Sequence, residues 1–122
     1  MKRYILIAAL FASVFAFSAC EEDQWGYDNR VVFSAAGGDE EVDGDEAIHT
    51  LSIGNGAGDE KQAVEIAGVM TVTYDWLTAT ATKGGDDIQL IAQPNKTGEK
   101  RKLYVYGMVR NRTMDITVVQ NK

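Results

Sequence analysis

Cysteine, histidine and proline each occur once in the 122 residues. A single cysteine cannot close an internal disulfide, so the folded domain must be stable without one. His49 is the only histidine and has no serine or cysteine motif beside it, which leaves no nucleophilic triad and no histidine-based metal set. Basic residues are scarce as well. Twelve Lys and Arg stand against 18 Asp and Glu, a formal charge of −6, and this balance argues against a nucleic-acid role. Apart from residues 5–17 there is no long apolar run. That run, about 13 residues, is shorter than the ~20 needed to cross a bilayer.

The N-terminus has the order of a secretory signal: Lys2 and Arg3, then the apolar run broken only by Ser13, then Ser18 and Ala19. The sequence Phe17-Ser18-Ala19-Cys20 resembles the lipobox of bacterial lipoproteins, with Phe17 where leucine is more usual. The resemblance implies cleavage after residue 19 and acylation of Cys20, so that residues 1–19 are a signal peptide and residues 20–29 a lipidated, acidic tether. More than one acyl chain would anchor the protein firmly in a membrane, its expected partner. Glu21-Glu22-Asp23 also resembles the export signal that carries Bacteroidetes lipoproteins to the cell surface. An outer-membrane location facing the exterior is therefore expected, with a periplasm-facing one as the alternative.

Cleavage would leave 103 residues, enough for one core. With Lys2 and Arg3 gone, ten basic and 18 acidic residues make −8. The charge is uneven, since residues 21–75 hold 14 acidic and two basic residues and residues 76–122 hold four and eight.

Beyond residue 29 the chain reads as short alternating or β-branched runs separated by Gly, Asn and Asp, the pattern of an all-β sandwich. Eight strands are predicted, over residues 30–34, 48–53, 63–67, 69–74, 78–82, 88–92, 102–109 and 113–120. Gly54-Asn55-Gly56-Ala57-Gly58-Asp59 is a turn, Gly68 a bend, and Pro94 a strand end because it lacks the ladder donor. Residues 102–109 and 113–120 form the clearest hairpin.

The C-terminal half carries Asp75-Trp76-Leu77-Thr78, Gly84-Gly85, Asp87-Ile88-Gln89-Leu90, Asn95 through Arg101, and Ile116-Thr117-Val118-Val119-Gln120. Their order and spacing resemble a BACON domain, and Phe33-Ser34-Ala35-Ala36-Gly37-Gly38 is similar to that family's opening. The resemblance covers residues 30–121. It implies an immunoglobulin-like β-sandwich of seven to eight antiparallel strands, found in Bacteroidetes lipoproteins and glycan-degrading enzymes, with a carbohydrate-binding or spacer role. Residues 43–62 are longer and more acidic than the family pattern, and Val69 or Met70 fills a position that often carries an aromatic.

Trp76 is expected as an apolar plug between the sheets, Asn95 as a turn cap, and Arg101 and Gln120 as partners of backbone groups. No catalytic residue, metal or cofactor is expected. Carboxylates are plentiful, but glycoside hydrolysis needs two of them ~5–9.5 Å apart across a cleft. Asp39, Glu41, Asp43 and Gly44 have the spacing of a calcium loop, yet Thr50 stands where the bidentate glutamate belongs. Residues 39–46 are read instead as a solvated acidic hairpin.

Tyr104 and Tyr106 share one strand face because strand side chains alternate. If Leu103 and Val105 are core, the tyrosines point outward, where they either offer rings for sugar stacking or pack on neighbouring strands. Trp25 and Tyr27 form a second aromatic pair. Two functions are expected of such a non-enzymatic chain. One is a structural or protein-interaction module at the cell surface. The other is a glycan-binding accessory protein using Tyr104, Tyr106 and Trp25.

Overall fold

The computed structural model describes residues 24–122. The signal peptide 1–19, Cys20 and the acidic residues 21–23 lie outside the described residues. Among the described residues ten strands form: β1 (Arg30–Phe33), β2 (Gly38–Asp43), β3 (Ser52–Gly54), β4 (Glu60–Gln62), β5 (Val64–Ile66), β6 (Val69–Tyr74), β7 (Leu77–Thr82), β8 (Asp87–Ala92), β9 (Arg101–Val109) and β10 (Arg112–Gln120). No helix occurs among the described residues.

The strands build two five-stranded sheets, in the orders β2-β8-β7-β6-β5 and β1-β10-β9-β3-β4. The core of an immunoglobulin-like sandwich is present, with β2 beside β8 and β7 in one sheet and β3, β9 and β10 in the other. All pairs are antiparallel except β1 with β10, which is parallel. The expected sandwich forms, with ten strands where seven to eight antiparallel ones were predicted.

The differences have physical causes. Four of the six residues of β2 are acidic and only Val42 is buried, so alternation is invisible there. Pairing with β8, Val42 opposite Ile88, makes it a strand, and the predicted acidic hairpin is thereby corrected. β4 is exposed along its whole length and is held by pairing with β3. The predicted strand 48–53 is regular only from Ser52. Ile48 makes an isolated bridge to Val109, and the Leu51 carbonyl accepts the Ala63 N–H at 2.9 Å. That bond holds the chain where it passes from β4 in one sheet to β5 in the other.

Alternation builds the core. Met70 and Val72 of β6, Leu77, Ala79 and Ala81 of β7, and Ile88, Leu90 and Ala92 of β8 face Leu103, Val105 and Val109 of β9 and Met114, Ile116 and Val118 of β10. Trp76 is buried with them, and the Arg101 guanidinium lies 4.9 Å from its ring centroid. Arg101 donates through Nε to Gln120 Oε1 at 2.8 Å and through Nη2 to the Pro94 carbonyl at 3.2 Å. Gln120 is fully buried and donates through Nε2 to the carbonyls of Gln93 (2.7 Å) and Ser34 (3.1 Å). These bonds satisfy the buried Gln120 amide, which would be costly to leave unpaired. Asn95 caps its turn as expected, accepting from the Thr97 N–H at 3.1 Å and donating to the Glu99 carbonyl at 2.7 Å.

Residues 24–29, expected as the distal part of the tether, pack onto the sandwich. Gln24 bridges to Tyr27, and its side-chain amide donates to the Asp115 carbonyl and accepts from the Asp115 N–H at 2.9 and 3.0 Å. Tyr27 is core, with its hydroxyl donating to the Glu46 carbonyl at 2.7 Å. Burial, with Asp86, Asp87, Asp43 and Asp45 nearby, pushes the Tyr27 hydroxyl up to about 12.

Candidate functional site

β9 alternates between the two sides of its sheet. Leu103, Val105, Gly107 and Val109 are buried, while Tyr104 and Tyr106 on the outer face are half-buried. The tyrosine rings lie nearly parallel, with 21° between their planes and 6.4 Å between centroids. They lean across β3, where the turn glycines give them room. A Cβ on Gly54 would stand 3.1 Å from the Tyr106 ring, and one on Gly56 only 2.6 Å from the Tyr104 ring. Gly56 also has φ +78°, which side-chain-bearing residues rarely adopt. The turn that carries it is tied down in two ways. Asn55 Oδ1 accepts the Ala57 N–H at 2.7 Å, and the Tyr74 hydroxyl donates to Asp59 Oδ2 at 2.6 Å.

Polar groups flank the rings on three sides. Ser52, cross-strand from Tyr106, donates to Glu60 Oε2 at 2.6 Å, and Gln62 Nε2 donates to the same oxygen at 3.1 Å. On the β10 side Tyr106 faces Asp115 and Tyr104 faces Thr117. The Lys102 ammonium lies 5.7 Å from the Tyr104 ring centroid. Burial raises the Tyr106 hydroxyl above the usual tyrosine range, and Glu60, Asp115 and Tyr104 add to the rise. The arrangement is thus two adjacent aromatic rings bordered by carboxylates, an amide, a hydroxyl and one ammonium. It can stack an apolar ring face and hydrogen-bond the hydroxyls around its rim.

Trp25 does not join this face. Gln24 bonds to the edge of β10 that points away from β9, so β10 lies between Trp25 and the strand bearing the tyrosines. Trp25 packs partly against the core, and the Arg112 guanidinium stands 5.7 Å from its ring centroid. Tyr27, its predicted surface companion, is buried. The aromatic pair expected there is split between core and rim because the two-residue turn Trp25-Gly26, with φ of 56° and 87°, sends the two side chains different ways. The structure also adds Gly54, Gly56, Glu60, Gln62 and Asp115, which no sequence spacing connects to β9.

Among the remaining acidic residues, Glu41, Asp43 and Asp87 bring carboxylate oxygens within 4.8 Å of one another. Hydrogen bonding to Asp87 and the charge of Asp43 raise the Glu41 carboxyl above its ordinary value. All three lie at the rim between β2 and β8. His49 lines an open cleft away from the tyrosines.

Neither a scan against protein-family models nor a search of curated proteins finds a match to this chain. Among solved structures, the NMR structure of a protein from Bacteroides thetaiotaomicron is similar, with a TM-score of 0.54 at 17% identity over 79% of each chain. At that identity the likeness is one of fold: a two-sheet β-sandwich.

Proposed function

We propose that the protein is a non-catalytic, lipid-anchored BACON-like module of the outer membrane that binds a glycan through its tyrosine face. The observation that supports this reading best is the Tyr104–Tyr106 pair held on the outer face over Gly54 and Gly56. Those glycines leave room for rings, and the rim of Glu60, Gln62, Asp115 and Lys102 supplies hydroxyl partners. Trp25 plays no part in this site. Anchoring through Cys20 would display the face from the cell surface.

The test is a glycan array probed with the full chain in detergent micelles, using host and plant polysaccharide fragments. Binding that is lost in Tyr104→Ala and Tyr106→Ala supports the reading, and no binding to any fragment rejects it. The anchor is tested separately by mass spectrometry and membrane fractionation of Cys20→Ala. Loss of acylation and release from the membrane are expected, and an unchanged membrane fraction contradicts the anchor. A protein-interaction role is favoured by a different part of the molecule, the β5 edge.

A further inference from the structure

The two sheets end in four edge strands, and these are unequally protected. β2 displays Asp39, Glu40, Glu41 and Asp43, β4 is Glu60-Lys61-Gln62, and β1 opens with Arg30. Charges of this kind discourage another strand from pairing. β5 lacks them on its outer side. Val64 and Ile66 are 64% and 72% exposed, and Val69, opposite Ile66, is 40% exposed.

The backbone of β5 is also open. Ala67 and Gly68, with φ of 53° and 83°, close β5 and β6 with a two-residue turn. In such a hairpin the flanking pair, Ile66 and Val69, exchanges hydrogen bonds, and the next pair, Glu65 and Met70, does not. The N–H and C=O of Glu65 therefore point away from the sheet. The neighbouring Ala63 N–H is already used by Leu51. On the inner side of β5 lies a cleft of about 210 Å³, with Leu51 and Met70 on its apolar wall and His49, Gln62, Glu65 and Lys83 at its rim. Glu65 and Lys83 pair at 3.6 Å with both side chains about half exposed, so exchanging that partner costs little.

We propose that β5 is a strand-addition site for an extended segment of another polypeptide, with a lysine or arginine opposite Glu65 and β-branched residues on either side of it. The outward N–H and C=O of Glu65 select an extended backbone, the first requirement of this recognition mode. Val64 and Ile66 select apolar cross-strand neighbours. The charge follows from Glu65 itself, whose half-exposed carboxylate pairs with Lys83 at 3.6 Å and can take an incoming cation in its place. The aliphatic stem of the incoming base packs on Met70 and Leu51 while its head replaces Lys83 on Glu65. A second copy of this chain fits poorly. Symmetric pairing about Glu65 sets two glutamates directly opposite each other, an arrangement that destabilises strand pairs.

The test uses the isotope-labelled full chain in detergent micelles and two synthetic peptides, Thr-Val-Lys-Val-Thr and Thr-Val-Glu-Val-Thr. The lysine peptide should bind about tenfold more tightly than the glutamate peptide and should slow hydrogen exchange at the Glu65 amide. Glu65→Lys should invert that preference, and the pair Val64→Thr with Ile66→Thr should weaken binding of both peptides. Equal binding of the two peptides, no binding of either, or a preference unchanged by Glu65→Lys overturns the proposal. Concentration-dependent protection of Glu65 without peptide would assign the edge to a second copy and overturn it too.

Discussion

The two sheets present the same kind of inner face and very different outer ones. Both bury alternating aliphatic residues, Ala79 and Leu90 in one and Val105 and Ile116 in the other. Outside, the β2-β8-β7-β6-β5 sheet carries threonines in register, Thr71 opposite Thr80 and Thr73 opposite Thr78, with Thr73 and Thr78 hydroxyls 2.8 Å apart. Threonine there satisfies β-propensity and solvates the face. The other sheet sets two tyrosines at its centre and glycines beneath them. Small residues under large rings weaken a strand unless the rings need the space. The difference separates a threonine face that completes the fold from a face whose paired rings and adjoining glycines are the basis of the proposed glycan site.

The comparison breaks most completely if the shared core fails. Trp76→Ala should cost about 3–5 kcal/mol and free the Arg101 guanidinium from its ring. Chemical denaturation should show this loss, and both outer faces should unfold in one transition. A loss well under 1 kcal/mol would mean that Trp76 is no plug between the sheets.

Gly56→Val acts on one face only. The left-handed backbone at this position costs a residue with a Cβ roughly 1–2 kcal/mol, and the added side chain meets the Tyr104 ring. Stability should drop by about that amount and ligand binding by more than the stability loss explains. A valine at Gly68, whose Cβ position is open, should carry the backbone cost without the binding defect. Equal effects of the two substitutions on binding would remove Gly56 from the site.

Alkaline titration sharpens the same distinction at the end of the sandwich. Tyr27 stays protonated up to about 12 when folded and ionises near 10 when unfolded. Its contribution is therefore intact below pH 10 and lost as pH rises from 10 towards 12. Tyr27→Phe should flatten that part of the stability–pH profile, and an unchanged slope would contradict its burial. The smallest effect belongs to the acidic edge. Glu41 has a raised folded-state pKa, so it binds a proton more readily folded than unfolded, and stability should rise as pH falls through its titration. Glu41→Gln should remove that slope and leave binding at the tyrosine face unchanged, as measured by thermal melts across weakly acidic pH.

Much of the fold was legible as alternation. Residues 69–74, 78–82 and 102–109 each show a period of two in burial, and Leu103 and Val105 are core, the condition on which the tyrosines were expected to face outward. β2 was hidden because its acidic side chains face water on both sides and the strand exists through pairing with Ile88 and its neighbours on β8. β3 was overextended because Ile48 and Leu51 are buried without belonging to a regular strand. At the candidate site, the shared face of Tyr104 and Tyr106 could be read from Leu103 and Val105. The glycine floor and the Glu60, Gln62 and Asp115 rim come from strands distant in sequence, so no local pattern announces them. Trp25 was drawn to the site by residue type, whereas its placement depends on Gln24 docking against Asp115.

The claim that the tyrosine face is the recognition surface is tested most directly by titrating one array-selected glycan against matched outer-face variants. Tyr104→Ala and Tyr106→Ala should each weaken binding by about tenfold or more, the loss of a stacked ring contact of roughly 1.4 kcal/mol. Thr80→Ala on the opposite sheet should leave affinity unchanged. Equal weakening by Thr80→Ala, or full affinity in both tyrosine variants, would contradict the account.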